Sequence, residues 1–395
     1  MPEPDRMKIA FVYDAIYPYV KGGVEKRVWE LAVRLTGRGH EVHIFGMKYW
    51  NGDDILIREG IILHGVCPAR PLYAGGKRTL GEAINFGLRL IHPLGKGRFD
   101  IIDCQQFPFF SCISAKFIFL IKRTPLVITW HEVWGDYWYT YLGQGGAFGK
   151  YIERLVARLT PHMIAVSRIT SEQLTPLSGL KTIVIIPNGV DQSRISAIPP
   201  AADRSDIIFA GRLIKEKHAD QLVRAFALLS KEQPAIRLLI IGDGPERETL
   251  LGLIREKGLL DRVSIRDFEA RHDDLITRMK SSCVFVLPST REGFGITALE
   301  ALACGLPVVT VDHPANAVRE LITEKTGFLS SPSAEDLADK IREALAHHEE
   351  MREACLSMAA AFDWDRIAAE CEEYYRSVIA KKGTRDRIKN RDPRT

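Results

Sequence analysis

The strongest constraint on the fold is a regular alternation of short apolar runs, typical of strands, with longer amphipathic segments, typical of helices. One series of these runs spans residues 8–190 and a second spans residues 207–311, with a polar, proline-containing stretch between them. Such alternation is typical of parallel sheets covered by helices on both faces. We therefore predict an α/β protein with two Rossmann-like β/α/β domains. The predicted strands are residues 8–14, 41–45, 99–104, 125–130, 162–167, 182–190, 207–212, 236–244, 263–267, 284–288 and 307–311.

The linker places the two domains at residues 1–190 and 191–363, followed by an amphipathic helix over residues 364–380. This helix carries an apolar and aromatic stripe that includes Trp364 and Tyr375. Such a stripe needs a surface to cover it. The helix therefore either ends the second domain or crosses back to pack on the first.

The positive charge of the chain is concentrated at its end. Residues 381–395 hold seven Lys or Arg and two Asp, and the whole chain has a net charge of +4, which leaves −1 for the other 380 residues. The body of the protein thus gives no indication of nucleic-acid binding. We predict that residues 381–395 form a disordered basic tail. Weak attraction of this tail to anionic lipid headgroups is the alternative.

Cysteine usage and apolar run lengths predict a cytoplasmic protein. The seven cysteines are odd in number and include no Cys-x-x-Cys pair, which disfavours a disulfide framework and a zinc site. The first residues, MPEPDRMKIAF, lack the features of a signal peptide. The longest apolar run, residues 107–121, is interrupted by Pro108 and Lys116 and is too short to span a bilayer. We expect it to form a buried helix; docking at the inner face of the membrane is the alternative.

The segment of residues 284–310 combines a strand, a polar turn and a helix that begins near Ile296. Its turn contains Glu292 and two glycines, and Glu300 follows inside the helix. Glycines let backbone N–H groups approach a ligand, and a helix start favours an anion. Because open α/β sheets bind ligands at the carboxyl ends of their strands, we predict an anionic ligand at this turn.

Arg212 and Lys217 follow the first predicted strand of the second domain, so they share a rim of the sheet with the Glu292 turn. An arginine fork, a lysine point charge and a helix start together suit a diphosphate. They would also stabilise the charge of a departing nucleotide. The alternative is that both are solvated surface cations.

In the first domain, Gly22 and Gly23 precede the first helix and provide another helix start that suits an anion. The sequence there is not Gly-x-Gly-x-x-Gly, which disfavours a dinucleotide-dependent dehydrogenase. His131 follows a predicted strand and neighbours Glu132 and Trp134, a polar and aromatic combination that suits sugars. A plain turn and a structural histidine are the respective alternatives.

Together these motifs resemble the retaining family 4 glycosyltransferases, which have the GT-B fold. EGFGITALE (292–300) is similar to the E-x7-E motif of that family, and GRLIKEK (211–217), IPNGVD (186–191), GDGP (242–245) and an FDWDRIA ending accompany it in order. The resemblance extends over residues 7–380. It implies two domains that face each other across a cleft holding a nucleotide-sugar donor, and a last helix that crosses back to the first domain.

The resemblance also implies roles for the candidate residues. Arg212 and Lys217 would bind the diphosphate, Glu292 would contact the donor sugar, and His131 would lie on the donor-sugar side with its carbonyl near the anomeric carbon. These four form the implied catalytic set. The residues implied to bind substrate, through backbone amides or through the ribose hydroxyls, are Gly22, Gly23, Phe294, Gly295, Thr297 and Glu300.

The implied activity is retaining, metal-independent transfer from a UDP- or GDP-sugar to a glycan, lipid-linked or small-molecule acceptor, without a cofactor. Asp267, Phe268 and Glu269 stand where the family commonly has a Phe-x-Gly turn near the base, so the base stays open. The main alternative is a sugar-nucleotide 2-epimerase on a similar scaffold. An α-glucan phosphorylase-like enzyme and a non-catalytic sugar-nucleotide-binding protein are further alternatives.

Overall fold

The structure is a computed structural model that describes residues 6–74, 77–180, 182–269 and 271–389. The described chain forms two compact units. The N-terminal unit contains the residues up to Pro187 together with those from Trp364 onward, and the C-terminal unit is Asn188–Asp363. Each unit is built on a largely parallel sheet with helices between its strands, which confirms the predicted α/β class.

The elements are numbered in chain order. The strands are β1 (Lys8–Val12), β2 (Glu41–Lys48), β3 (Ile55–Arg58), β4 (Ile61–Pro68), β5 (Tyr73–Ala74), β6 (Lys77–Arg78), β7 (Ile101–Gln105), β8 (Leu126–Trp130), β9 (Met163–Ala165), β10 (Val184–Ile185), β11 (Ile207–Ala210), β12 (Leu238–Ile241), β13 (Val263–Arg266), β14 (Val284–Leu287), β15 (Val308–Val311) and β16 (Gly327–Ser330). The helices are α1 (Gly23–Gly37), α2 (Leu80–Lys96), α3 (Phe109–Lys122), α4 (Tyr137–Leu142), α5 (Gly146–Val156), α6 (Arg168–Ser178), α7 (Gln192–Ala197), α8 (Ala219–Glu232), α9 (Arg247–Glu256), α10 (His272–Met279), α11 (Ile296–Ala303), α12 (Ala334–Ala360) and α13 (Trp364–Lys389).

The larger sheet of the N-terminal unit has the order β10-β9-β8-β7-β1-β2-β4-β3, and in it only β3 runs antiparallel to its neighbour among the described strands. The sequence did not predict β3 and β4. In β3 the apolar side chains Ile55 and Ile57 face solvent, with 56% and 70% of their surface exposed. This strand therefore lacks the alternation of buried apolar and exposed polar residues that predicts a strand. The strand predicted at residues 182–190 is limited to Val184–Ile185.

The last helix, α13, packs against α1 within the N-terminal unit. Its stripe is fully buried: Trp364, Ile367 and Tyr375 each have no exposed surface, and the Tyr375 hydroxyl donates to Asp103 of β7. The helix also continues through residues 381–389, which the sequence assigned to a disordered tail. No proline interrupts it before Pro393. Residues 390–395 of that predicted tail lie outside the described residues.

The sheet of the C-terminal unit is entirely parallel among its described strands, with the order β13-β12-β11-β14-β15-β16. Relative to the chain, the order reverses between β11 and β14. Ligands of doubly wound sheets bind beside such a reversal, outside the carboxyl ends of the strands. The loops that follow β11 and β14 carry the predicted binding residues.

The apolar run of residues 107–121 forms α3, and only one side of this helix is buried. Cys112 and Ala115 are inaccessible, whereas Phe117, Leu120 and Ile121 are 48%, 64% and 61% exposed. The expectation of a buried helix therefore holds for one side only. Among the described helices, none is long and apolar enough to cross a bilayer.

Candidate active site

The loop that follows β14 is held rigidly by backbone pairing. The N–H of Glu292 donates to the carbonyl of Ala315 at 2.9 Å, and the carbonyl of Glu292 accepts from the N–H of Ala317 at 2.8 Å. Gly295 then adopts a φ of 86°, and a Cβ at this position would lie 2.2 Å from Cγ2 of Val318. Only glycine fits this close turn, and α11 begins at the next residue.

The side chains around this turn differ in exposure. Phe294 is buried and its ring meets that of Phe362 edge-on, with 5.9 Å between centroids. Thr297 is half-buried in the first turn of α11. The first turn of α11 thus begins four residues after Glu292, in the segment where the sequence predicted an anion.

The loop that follows β11 carries Arg212, which is exposed, and leads to a short 3₁₀ turn that ends at Lys217. The turn that follows β12 packs against this loop. A Cβ at Gly242 would lie 1.9 Å from the carbonyl oxygen of Gly211, and the N–H of Leu213 donates to Asp243 at 2.9 Å. The turn of residues 242–245 therefore packs closely against the loop that carries Arg212.

Lys217 and Glu292 meet although they are far apart in sequence. The Lys217 ammonium donates to Oε1 of Glu292, and the two side chains are only 18% and 11% exposed. Two candidates from different loops are thus in direct contact at the reversal of strand order. The cation of this pair would be available to a phosphate, and the carboxylate to a sugar hydroxyl.

Glu300, the second carboxylate of the motif, is 2% exposed in α11. Its Oε1 lies 2.8 Å from Nε2 of His272, the first residue of α10. The sequence did not indicate His272, because nothing near this residue distinguishes it from a surface histidine. Its contact with Glu300 arises only because the fold places α10 beside α11.

In the N-terminal unit, two glutamines hold His131 from both sides. The backbone N–H of His131 donates to Oε1 of Gln106 at 2.8 Å, and Nε2 of its ring lies 2.8 Å from Oε1 of Gln105. Nε2 of Gln105 in turn donates to Asp103 at 3.1 Å. Since the amide nitrogen of Gln105 serves the carboxylate, its oxygen faces the imidazole, and His131 is the donor in that contact.

Burial decides the charge state of this histidine. Desolvation, with a smaller contribution from the Arg27 charge, lowers the pKa of His131 to about 3. The ring is therefore neutral near pH 7, with its proton on Nε2 and a lone pair on Nδ1. Gln105 and Gln106 were not predicted from the sequence, yet they follow a predicted strand in the same way as His131.

The glycines Gly22 and Gly23 lie where the sequence predicted them, at the start of α1. A Cβ at Gly22 would lie 2.7 Å from a carboxylate oxygen of Glu25, in the first turn of the helix. The carboxylate of Glu25 thus lies beside the helix start at which the sequence predicted an anionic ligand. Among the ranges that the structure describes, no group of three or more His, Cys, Asp or Glu is arranged to hold a metal ion.

Comparison with known proteins identifies the family. The chain matches the family described as Glycosyltransferase Family 4 over residues 21–194 and that described as Glycosyl transferases group 1 over residues 191–360. It is 31% identical over 407 residues to D-inositol 3-phosphate glycosyltransferase of Paenarthrobacter aurescens, covering 91% of this chain and 94% of the relative. The chain belongs to glycosyltransferase family 4.

This glycosyltransferase also has more distant relatives with different names. It is 26% identical to glycogen synthase of Mycobacterium tuberculosis, covering 96% of both chains. It is 24% identical to a phosphatidylinositol N-acetylglucosaminyltransferase subunit of Arabidopsis thaliana, covering 95% of this chain and 83% of the relative. Since these names refer to different products, family membership alone does not specify the acceptor.

Solved structures assign the GT-B fold to this glycosyltransferase. Sucrose-phosphate synthase from Thermosynechococcus elongatus matches with a TM-score of 0.78 at 23% identity, over 95% of this chain and all of the other. Anabaena HepE, in complex with UDP and glucose, matches with a TM-score of 0.72 at 20% identity, over 94% of this chain and all of the other.

Proposed function

We propose that the protein is a retaining, metal-independent glycosyltransferase that uses a UDP- or GDP-sugar and transfers the sugar to a hydroxyl of a glycan, lipid-linked or small-molecule acceptor. The observation that carries this proposal is the contact between Lys217 and Glu292 at the reversal of strand order. It brings a cation and a carboxylate from two separate motifs to the place where a doubly wound sheet binds nucleotides.

Each charged group has a proposed partner in the donor. Arg212 and Lys217 neutralise the diphosphate, together with the backbone amides at the start of α11. Glu292 accepts hydrogen bonds from sugar hydroxyls, and Glu300 accepts from the ribose. When the donor binds, Lys217 exchanges Glu292 for a phosphate oxygen, and hydrogen bonds from the sugar hydroxyls take the place of the ammonium at the Glu292 carboxylate.

Transfer proceeds on one face of the sugar. The bond from the anomeric carbon to the phosphate oxygen breaks while the bond to the acceptor oxygen forms on the same side, and the acceptor proton passes to a phosphate oxygen. The cations and amides stabilise the charge of the leaving nucleotide, and no metal ion is required. His131, neutral and fixed by Gln105, contributes from the N-terminal unit as an oriented polar group, not as a cation.

The test starts with a thermal-shift screen of UDP-, GDP- and ADP-sugars in EDTA, followed by mass spectrometry of products from the best donor with candidate acceptors. We expect one donor to stabilise the protein and to yield a product with the anomeric configuration of the donor. Strict dependence on Mg²⁺ or inversion would contradict the proposal. Conversion of the donor sugar in the absence of any acceptor would instead support a 2-epimerase.

We also propose that the protein associates peripherally with the cytoplasmic face of a membrane through α3. Phe117, Leu120 and Ile121 expose apolar surface on this helix, and Lys122 follows them. Apolar side chains next to a cation suit an anionic lipid interface. Co-sedimentation with phosphatidylglycerol vesicles, reduced by Leu120→Ser with Ile121→Ser, is the expected result; equal recovery of the wild type with and without vesicles would overturn it.

A further inference from the structure

The N-terminal unit contains a cavity away from the candidate active site. Its volume is about 750 Å³, and it lies between the second half of α2 and the strands β1, β2 and β4. Lys8 opens β1 and Phe99 precedes β7, so the cavity lies toward the amino ends of these strands. His131 and the Gly22 turn follow the carboxyl ends. The cavity is therefore a separate site on the same sheet.

The charges around this cavity are unbalanced. Among the described residues that line it, Lys8, Arg89 and Lys96 are cations and Asp54 is the one carboxylate. Lys8 pairs with Glu41 at 2.6 Å, so the excess positive charge comes from Arg89 and Lys96. Asp54 is 79% exposed and already pairs with Lys48 at 2.8 Å. A concave surface with an excess of one charge concentrates ligands of the opposite charge. The cavity is thus suited to an anion.

Spacing along α2 directs three basic side chains to this cavity. Arg89, His92 and Lys96 are separated by three and four residues, so they lie on one stripe of the helix, and all three line the cavity. The apolar side chain of Leu88 lies at the same surface and is 65% exposed, as is Ile55 at 56%. The lining therefore offers both cations and accessible apolar surface.

The opposite wall is aromatic and held in a fixed arrangement. The ring of His64 stacks on Phe45 with 4.2 Å between centroids and an interplanar angle of 6°. Nε2 of His64 lies 2.7 Å from Nδ1 of His43, whose Nε2 lies 2.9 Å from Glu41. Hydrogen bonds from Lys8 and His43 lower the pKa of Glu41 to about 2, so it is ionised and only accepts. This chain of hydrogen bonds orients both imidazoles and fixes the ring of His64 as a flat wall of the cavity.

We propose that this cavity binds a small organic phosphate, an anion that carries a ring or a short apolar body, independently of the nucleotide-sugar donor. The phosphate would contact Arg89, His92 and Lys96, and the body would lie against the ring of His64, which packs on the buried ring of Phe45. The volume falls within the ~300–1,000 Å³ typical of small-molecule sites. Lys8 remains paired with Glu41, at 2.6 Å, and takes no part in binding.

Phenyl phosphate is the probe, because it combines a phosphate with a flat ring. We expect isothermal titration calorimetry on the full chain to show binding that is weakened about tenfold or more in the double variant Arg89→Gln, Lys96→Gln, since two charge-assisted contacts are lost. The matched double variant Arg154→Gln, Arg255→Gln, at exposed positions of α5 and α9 that do not line the cavity, should bind like the wild type. Lys217→Ala, which alters the proposed donor site, should also bind like the wild type.

Two further measurements test the proposal. The ring resonances of His64 should shift in NMR spectra on addition of phenyl phosphate, which places the ligand in this cavity. Inorganic phosphate should bind at least about fivefold more weakly than phenyl phosphate; equal affinities would overturn the role of the aromatic wall. An undiminished affinity in the Arg89 and Lys96 double variant, or a loss of affinity in Lys217→Ala, would overturn the separate site.

Discussion

The imidazole of His131 donates from Nε2 to Oε1 of Gln105 across 2.8 Å, and this contact begins a chain of buried hydrogen bonds. The side-chain amide of Gln105 donates in turn to Asp103, which also accepts a hydrogen bond from the Tyr375 hydroxyl in the last helix. The candidate catalytic histidine is therefore oriented by the core of its own unit. The geometry of the ring therefore depends on residues that are themselves buried.

Replacing Gln105 by leucine should release this ring. Without an acceptor for its Nε2 proton, His131 populates both neutral tautomers and more than one orientation. We expect kcat to fall about ten- to a hundredfold, as for a misplaced catalytic group, with a donor KM within about threefold of the wild type. Steady-state kinetics and ¹⁵N shifts of the His131 ring are the measurements. Gln233→Leu, at an exposed position after α8, is the control, and an unchanged tautomer in Gln105→Leu would contradict the positioning role.

Tyr375→Phe should destabilise the N-terminal unit by removing the hydroxyl that donates to buried Asp103. Hydrogen bonds to charged groups contribute ~1.5–3 kcal/mol, and we expect a loss of that size in the free energy of unfolding. The neighbouring Tyr374→Phe is a matched control, because its hydroxyl makes only a long 3.4 Å contact with the carbonyl of Met163. Urea titration of both variants checks this. Equal losses in the two would refute the assignment.

The depressed pKa of His131 predicts a specific dependence of stability on pH. Burial lowers this pKa to about 3 in the folded chain, against about 6.5 when unfolded. Between these values only the unfolded state binds the proton, so this contribution is complete above pH 6.5 and declines as the pH falls. The stability of the wild type relative to His131→Asn should therefore decrease below pH 6.5, by at most about 1.4 kcal/mol per pH unit.

The comparison between the two proteins is needed because other groups titrate as well. Burial lowers the pKa of His64 to about 4, which acts in the same direction. Burial raises the pKa of Glu82 to about 7, which acts in the opposite direction. These contributions cancel when the free energy of unfolding of His131→Asn is subtracted from that of the wild type at each pH. Denaturant titrations give both values. A difference that stays constant from pH 7 to pH 4 would show that His131 titrates normally.

The sequence predicted the parts of the candidate site that depend on local signals. Gly295 and the start of α11 at Ile296 follow from turn chemistry, and Gly23 likewise begins α1. The contact between Lys217 and Glu292 was not predicted, because it requires β11 and β14 to be neighbours, and strand order is a property of the whole sheet. His272 was missed for the same reason, since its partner Glu300 lies on another helix.

The edge of the N-terminal sheet shows a second limit. β3 and β4 were missed because exposed apolar residues in β3 obscure the expected alternation of buried and exposed positions. The last helix shows the reverse case. Its aromatic stripe correctly required burial, yet the pattern did not specify the covering surface. One contact that fixes the helix on this surface is made by Asp103, a buried carboxylate on a distant strand that accepts a hydrogen bond from Tyr375.

Lys217→Ala should reduce kcat/KM by about 10²–10³, by analogy with the removal of one preorganised donor from an anionic transition state. The loss should appear mainly in kcat if Lys217 acts on the departing diphosphate. Lys215→Ala is the matched control, because Lys215 lies exposed in the same 3₁₀ turn, and its activity should stay within about twofold of the wild type. Normal turnover by Lys217→Ala would remove this residue from the mechanism.

His272→Ala should weaken donor binding through Glu300, whose carboxylate loses its partner at 2.8 Å. The expected loss is about tenfold in Kd, since a hydrogen bond to a charged group contributes ~1.5 kcal/mol or more. The binding nucleotide and its 2′-deoxy analogue, titrated into wild type and variant, form a double-mutant cycle. If Glu300 holds the ribose, the variant should lose far less affinity for the deoxy analogue. His272→Gln should restore most of the binding, and His347→Ala, at an exposed position, should leave donor binding unchanged. Equal losses of affinity for both nucleotides in His272→Ala would mean that His272 only supports the fold of the C-terminal unit.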